Sequence, residues 1–264
     1  MRLLKKVNSE ADKVAKIILE GFEEEKRELQ WEDGVTIAFF EDMVQKTNSL
    51  ITLIEAGSFT AIDTITRSVF ESHVYLQVLL TKENRIYGRS YFAAVRSKEL
   101  GLLQSIIQPG RKGERIRRLL GRTTQQILTE FGESDPKILL QQLENEFSDV
   151  FSLRQSKHNW YNLDGKTGNF EQLCNRLELG AEYELLYRQL SSEVHSMDVM
   201  KRIQYDTDQV TILTGNSQID MNTAFVSSLL RESVVGILEF YGHKEHAKKF
   251  ITLMNLSYQF MKKY

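Results

Sequence analysis

Arg188 and His195 stand seven residues apart in the stretch Tyr187-Arg188-Gln189-Leu190-Ser191-Ser192-Glu193-Val194-His195. On a helix turning ~100° per residue they return to one face, about two turns apart. Ser192, four residues after Arg188, shares that stripe. A guanidinium that grips phosphate, a hydroxyl and an imidazole that titrates near neutrality then share one surface. RNA carries its own nucleophile, the 2′-hydroxyl. An enzyme need only deprotonate it, stabilise the phosphorane and protonate the leaving 5′-oxygen. The imidazole of His195 suits the proton transfers, a role worth ~10²–10⁴-fold. Arg188 suits a two-pronged grip on the non-bridging oxygens, and Ser192 a hydrogen bond to phosphate. Spacing alone favours a helix-end Arg and His that cap carbonyls or pair with Glu193.

Two further groups surround this motif. Arg67, Glu71 and Tyr75 lie four residues apart on one line of a largely apolar helix. Arg67 and Glu71 there read either as a second layer that orients Arg188 or His195, or as a buried structural ion pair. Tyr187 reads as a support for the helix or as a ring on which a base stacks. The run 111–122 places Arg111, Lys112, Arg115, Arg117, Arg118 and Arg122 against Glu114. At spacings of four, three and four, Arg111, Arg115, Arg118 and Arg122 share a helix face suited to a phosphate backbone. The alternative is a solvated face balanced by acidic neighbours such as 23–28.

The elements that must position these residues are helical. The chain has 264 residues, 41% hydrophobic and 27% charged, with a formal net charge of −2 and two prolines, Pro109 and Pro136. Those numbers describe an ordinary globular chain with long stretches free of helix breakers. The near-neutral balance leaves nucleic-acid binding to a local patch. Periodicity predicts helices over 3–29, 35–56, 58–81, 83–107, about 136–148, 170–179, the Arg188/His195 segment, 217–241 and 244–262. Trp31-Glu32-Asp33-Gly34 reads as a turn, and 152–168 as a loop anchored by Trp160-Tyr161. Alternation around Asp206-Thr207-Asp208 predicts a small β-hairpin near 202–213. The fold expected is a single all-α domain, a helical bundle over 1–264. In it, 1–30 is a peripheral N-terminal helix, 35–241 the core and 244–264 a C-terminal helix.

Other chemistries lack their residues. Cys174 is the sole cysteine, which excludes an internal disulfide or a thiolate zinc cage. His243 and His246 have no HExxH frame, so no metal and no cofactor is expected. His73 reads as a core residue and His158 as a loop residue. No Gly-rich phosphate loop or GxSxG elbow occurs. Neither a signal-peptide core nor an apolar run long enough for a membrane span is present, so a cytoplasmic location away from membranes is expected.

Tyr-Arg-x-Leu-Ser-x-x-Val-His at 187–195, the upstream Trp160 and the helix Thr66-Arg67-Ser68-Val69-Phe70-Glu71 resemble a bacterial family of unknown function. That family in turn resembles a branch of the HEPN superfamily, whose signature is an Arg, four to six residues, then His. Six residues separate Arg188 from His195, the upper end of that range. Gln189 is bulkier than the small polar residue that often follows the Arg. The resemblance covers roughly 35–240 in helix order. It implies a HEPN-like helical bundle and a metal-independent endoribonuclease of a toxin or phage-defence system. It also implies a homodimer that joins two motifs, with an antitoxin or activating protein as a possible partner. Other superfamily members have lost catalysis and bind a nucleotide, a protein or a phage component. That non-catalytic sensor is the alternative the sequence leaves open.

Overall fold

A computed structural model describes residues 1–132, 135–153, 159–188, 203–206, 209–212 and 219–262, with backbone alone at 204–206, 212 and 260–262. The described chain is built almost entirely of helices. Contacts cluster into two compact units, Met1–Asn84 with Phe170–Tyr264, and Arg85–Asn169.

The first unit begins with α1 (Arg2–Ala11), α2 (Val14–Glu24), α3 (Trp31–Glu55) and α4 (Ile62–Leu79). It closes with α12 (Ile219–Phe240) and α13 (Lys244–Lys262). The helix pair α3/α4 is the most extensive contact, and α12 packs on α1, α3, α4 and α13. Phe40, Met43 and Leu50 of α3, Ile62, Phe70, Leu76 and Leu79 of α4, and Leu230 and Val234 of α12 are almost fully buried between them. Each such side chain contributes ~1.5–3 kcal/mol by leaving water.

Residues 1–30 differ from the peripheral helix expected. They form two helices, and Leu4, Val7, Ala11, Val14, Ile18 and Phe22 are buried. The high charge of this segment lies on its outer faces, while the 3–4 spacing of its apolar residues supplies an inner face to the core. Trp31–Gly34 is not a turn but the first turn of α3. The Asp33 carboxylate accepts from the Gln30 backbone N–H at 3.1 Å and from Arg27 Nη2 at 3.0 Å. It thereby satisfies a donor left free at the helix start. The α3 helix ends at Gly57, whose φ of 69° few other residues adopt readily.

The second unit comprises α5 (Asn84–Ile107) beyond its first residue, with α6 (Arg111–Leu120), α7 (Thr124–Glu130), α8 (Pro136–Glu146) and α9 (Ser148–Leu153). Its core joins Ala93 and Leu100 to Leu143, Phe147 and Val150. Trp160 is buried against Tyr87, Tyr91 and Tyr161, and its carbonyl accepts from Ser90 Oγ at 2.6 Å. Asp135 caps α8 by accepting from the Lys137 N–H at 2.9 Å, with Pro136 opening the helix.

The chain re-enters the first unit with α10 (Phe170–Arg176) and α11 (Gly180–Glu182). The latter continues as a π-helical turn, Tyr183–Tyr187, with Arg188 at its C-terminal boundary. Farther on, β1 (Ile203–Asp206) pairs antiparallel with β2 (Gln209–Ile212), Ile203 opposite Ile212 and Asp206 opposite Gln209.

Candidate functional site

Arg67, Glu71 and Tyr187, singled out from the sequence, meet at one junction of the first unit, where α4 packs on the Tyr183–Tyr187 turn. In α4 the i,i+4 spacing brings Arg67 and Glu71 together, and Arg67 Nε donates to Glu71 Oε1 at 3.2 Å. Arg67 Nη2 then crosses to the other element and donates to the Tyr187 hydroxyl at 2.7 Å. The same guanidinium lies 4.2 Å from the centroid of the Tyr187 ring, a cation–π contact strengthened by partial burial. Arg67 Nη1 is buried without a hydrogen-bond partner among the described residues. One arginine therefore holds Tyr187 by its edge and by its face.

Aromatic rings complete the support. The Tyr187 ring lies 4.7 Å from Phe170, 5.2 Å from Tyr183 in a near-parallel stack of 22°, and 6.2 Å from Phe70. Tyr75, the third residue of the α4 line, meets Phe170 edge-on at 5.6 Å. Burial, with the Glu71 charge behind it, pushes the Tyr187 phenol up to about 12, so this hydroxyl is a neutral hydrogen-bonding group at neutral pH.

Arg188 is the next residue, and its environment is the opposite. Its side chain is 71% exposed. Its Nη1 donates to both carboxylate oxygens of Glu184, at 3.0 and 3.2 Å. That hydrogen bond and charge raise the affinity of Arg188 for its proton. The guanidinium thus sits at the surface on a turn pinned from below by Arg67, and its anion-binding edge is shared with one carboxylate. Ser192 and His195, expected to stand with Arg188, lie outside the described residues, as does His158.

The basic segment divides by role. Arg111, Lys112, Arg115 and Arg118 are exposed on α6 and form no ion pair among the described residues. Arg117 turns inward and donates to the carbonyls of Ile106 and of Gln108, the latter at 3.2 Å. It thus caps the C-terminal carbonyls of α5. The expectation that Arg122 continues the α6 face is not met. Gly121 takes a left-handed φ of 63° and ends the helix, and Arg122 pairs instead with Glu130 at 3.4 Å.

The remaining titratable groups serve packing. His73 is fully buried; its Nδ1 lies 2.9 Å from Ser233 Oγ, and its Nε2 has no hydrogen-bond partner. Burial pushes its imidazole down to about 4. Burial likewise pushes the Cys174 thiol up to about 12, which leaves it a poor nucleophile. His243 packs against Gly21, where an added Cβ would come within 2.5 Å of its ring. No group of three or more His, Cys, Asp or Glu among the described residues is placed to hold a metal. No described helix is long and apolar enough to cross a membrane.

Sequence reasoning missed three partners here: Glu184 on Arg188, and Phe170 and Tyr183 around Tyr187. Glu184 was legible as the residue four before Arg188. Tyr183 was legible in the same way, four before Tyr187, whereas Phe170 was not, because it reaches Tyr187 from a separate helix. A family model described as a family of unknown function, DUF5677, matches residues 33–209. No curated protein and no solved structure matches the chain.

Proposed function

We propose a function from this premise: the chain belongs to the DUF5677 family, so its chemistry must be argued from its own residues. The reading we favour is a metal-independent endoribonuclease on a HEPN-like helical bundle. In it Arg188 neutralises the phosphate and His195 moves the protons, with Ser192 as an additional donor. The observation that carries this reading is the placement of Arg188: a solvent-facing guanidinium beside a tyrosine that Arg67 and Glu71 hold in place. Anion recognition needs both exposure and a fixed position. Arg67, Glu71 and Tyr187 are positioning residues here, acting through the turn that carries Arg188. Arg111, Lys112, Arg115 and Arg118 of the second unit, exposed and without ion pairs among the described residues, supply a sequence-independent grip on the RNA backbone.

A role in defence or toxicity, a homodimer that brings two motifs together, and an antitoxin or activating partner are what the HEPN resemblance implies, and the location proposed is the cytoplasm. The alternative is a non-catalytic sensor that keeps the same anion site to bind a nucleotide, a protein or a phage component.

The test is cleavage of RNA by the purified protein in EDTA. Cleavage that is lost in His195→Ala and in Arg188→Gln, with helical content unchanged by circular dichroism, supports the enzyme. Absence of cleavage under all conditions, with an unaltered cellular phenotype for His195→Ala, favours the sensor.

A further inference from the structure

We propose that Tyr183 is the platform on which an unpaired RNA base stacks while Arg188 holds the adjoining phosphate. The inference deepens the ribonuclease reading and rests on its assignment of Arg188 to phosphate.

The geometry begins with the π-turn. The Arg188 backbone N–H donates to the Tyr183 carbonyl five residues back, instead of to the i−4 carbonyl an α-helix would use. This register sets Arg188 one wide turn above Tyr183; burial and the Glu171 charge raise the Tyr183 phenol, and the Arg188 charge opposes them. The π-turn thus carries a partly exposed aromatic ring and an exposed guanidinium one turn apart. A nucleotide presents the matching pair, a flat base and an anionic phosphate one sugar apart.

The ring is braced for stacking. Tyr183 is half-buried and lies near-parallel on Tyr187 at 5.2 Å, with Phe170 at 6.3 Å. Beneath it the Tyr187 ring is fixed by the Arg67 guanidinium at 4.2 Å and by a 2.7 Å hydrogen bond to its hydroxyl. Tyr187 has neighbours enough and serves as the underlayer; Tyr183 is the outer ring of the series. A held aromatic loses little conformational freedom when a base covers it.

The class of ligand follows. In duplex RNA the faces of the bases are covered by their neighbours, so only an unpaired base can lie on Tyr183. Stacking of this kind tolerates any base, since each has a π-face. Glu184 occupies the Arg188 Nη1 that a phosphate oxygen would take, so the phosphate enters by exchange with that carboxylate.

The test uses the full chain carrying His195→Ala, in EDTA, so that binding is measured without cleavage. The probe is a short single-stranded RNA with one 2-aminopurine, and the same strand annealed to its complement. The single strand should bind more tightly than the duplex, with its 2-aminopurine fluorescence quenched by stacking. Tyr183→Ala should weaken that binding by about 5- to 150-fold and restore the fluorescence. Tyr183→Phe and Tyr183→Trp should retain both. Arg188→Gln should flatten the salt dependence of binding, which Tyr183→Ala should leave unchanged.

Affinity and quenching unaltered in Tyr183→Ala overturn the platform. So does an equal loss in Tyr183→Phe and Tyr183→Trp, which would mark a packing role. RNA that is cut by the wild type without dependence on Tyr183 removes this inference and leaves the enzyme standing. RNA bound through Tyr183 but never cut by the wild type keeps the platform and removes the enzyme. Failure to bind any single strand overturns both.

Discussion

Replacing Tyr187 by Phe removes one oxygen and nothing else, which makes it the sharpest probe of the junction that carries Arg188. The oxygen accepts a 2.7 Å hydrogen bond from Arg67 Nη2. Bonds to a charged group contribute ~1.5–3 kcal/mol when the partner is left unsatisfied in a buried place. Arg67 is 15% exposed, so water offers only partial replacement. Its Nη1 already lacks a partner, and the change would orphan a second guanidinium nitrogen. The Phe ring keeps the face-on contact with the guanidinium. The expected destabilisation is therefore about 1.5–2 kcal/mol, at the lower part of the range. A urea titration followed by near-ultraviolet circular dichroism of the aromatic cluster would measure it. A double-mutant cycle with Arg67→Met isolates the pair, and its coupling energy should be about 1 kcal/mol. The proton linkage has a definite sign. Because the folded-state phenol is raised from its ordinary value near 10 to about 12, its contribution is complete below pH ~10 and is lost as pH rises from there towards 12. Tyr187→Phe should lack that alkaline loss. A coupling energy within ~0.3 kcal/mol of zero, the usual scatter of additivity, would refute the argument that Arg67 holds the turn through this oxygen.

Four further outcomes are expected. His73 is buried with its imidazole pushed from 6.5 down to about 4, so its contribution is complete above pH ~6.5 and is lost as pH falls towards 4. That loss amounts to roughly 3 kcal/mol, and it should vanish from the urea-midpoint profile of His73→Gln. Arg117→Ala should lower thermal stability by ~1–3 kcal/mol by freeing the carbonyls of Ile106 and Gln108. Arg115→Ala and Arg118→Ala, exposed and without ion pairs among the described residues, should leave the melting curve in place and weaken RNA binding. Gly121→Ala forces a Cβ into the left-handed region at φ 63° and should destabilise by about 1 kcal/mol, measurable in the same melting series.

Several features were legible because helix geometry is local. Two prolines in 264 residues, and apolar positions three and four apart, make an almost wholly helical chain. The Arg67–Glu71 pair follows from i,i+4 spacing alone. Asp135-Pro136 at the start of α8 followed from the chemistry of a helix N-terminus, where a carboxylate accepts and a missing N–H is harmless. The same local logic misled where tertiary packing decides. A dense charge pattern made 1–30 look peripheral, although charge on an outer face says nothing of what the inner face meets. A stripe drawn through Arg122 assumed an unbroken helix, and Gly121 breaks it.

The division into two units carries no mark in the sequence either. Its first boundary falls within the opening turn of α5 and its second at the start of α10. Neither place is a linker in composition. The helical class, the i,i+4 partners and the Arg188…His195 spacing could be read from the chain, because each depends on residues within a few turns. That Arg67 reaches Tyr187 across 120 residues came only from the packed fold. It alone decided that Tyr183–Tyr187 forms a π-turn, and that Arg117 leaves the basic run to cap α5. Such contacts arise from which faces of distant helices bury each other, and no local period encodes that choice.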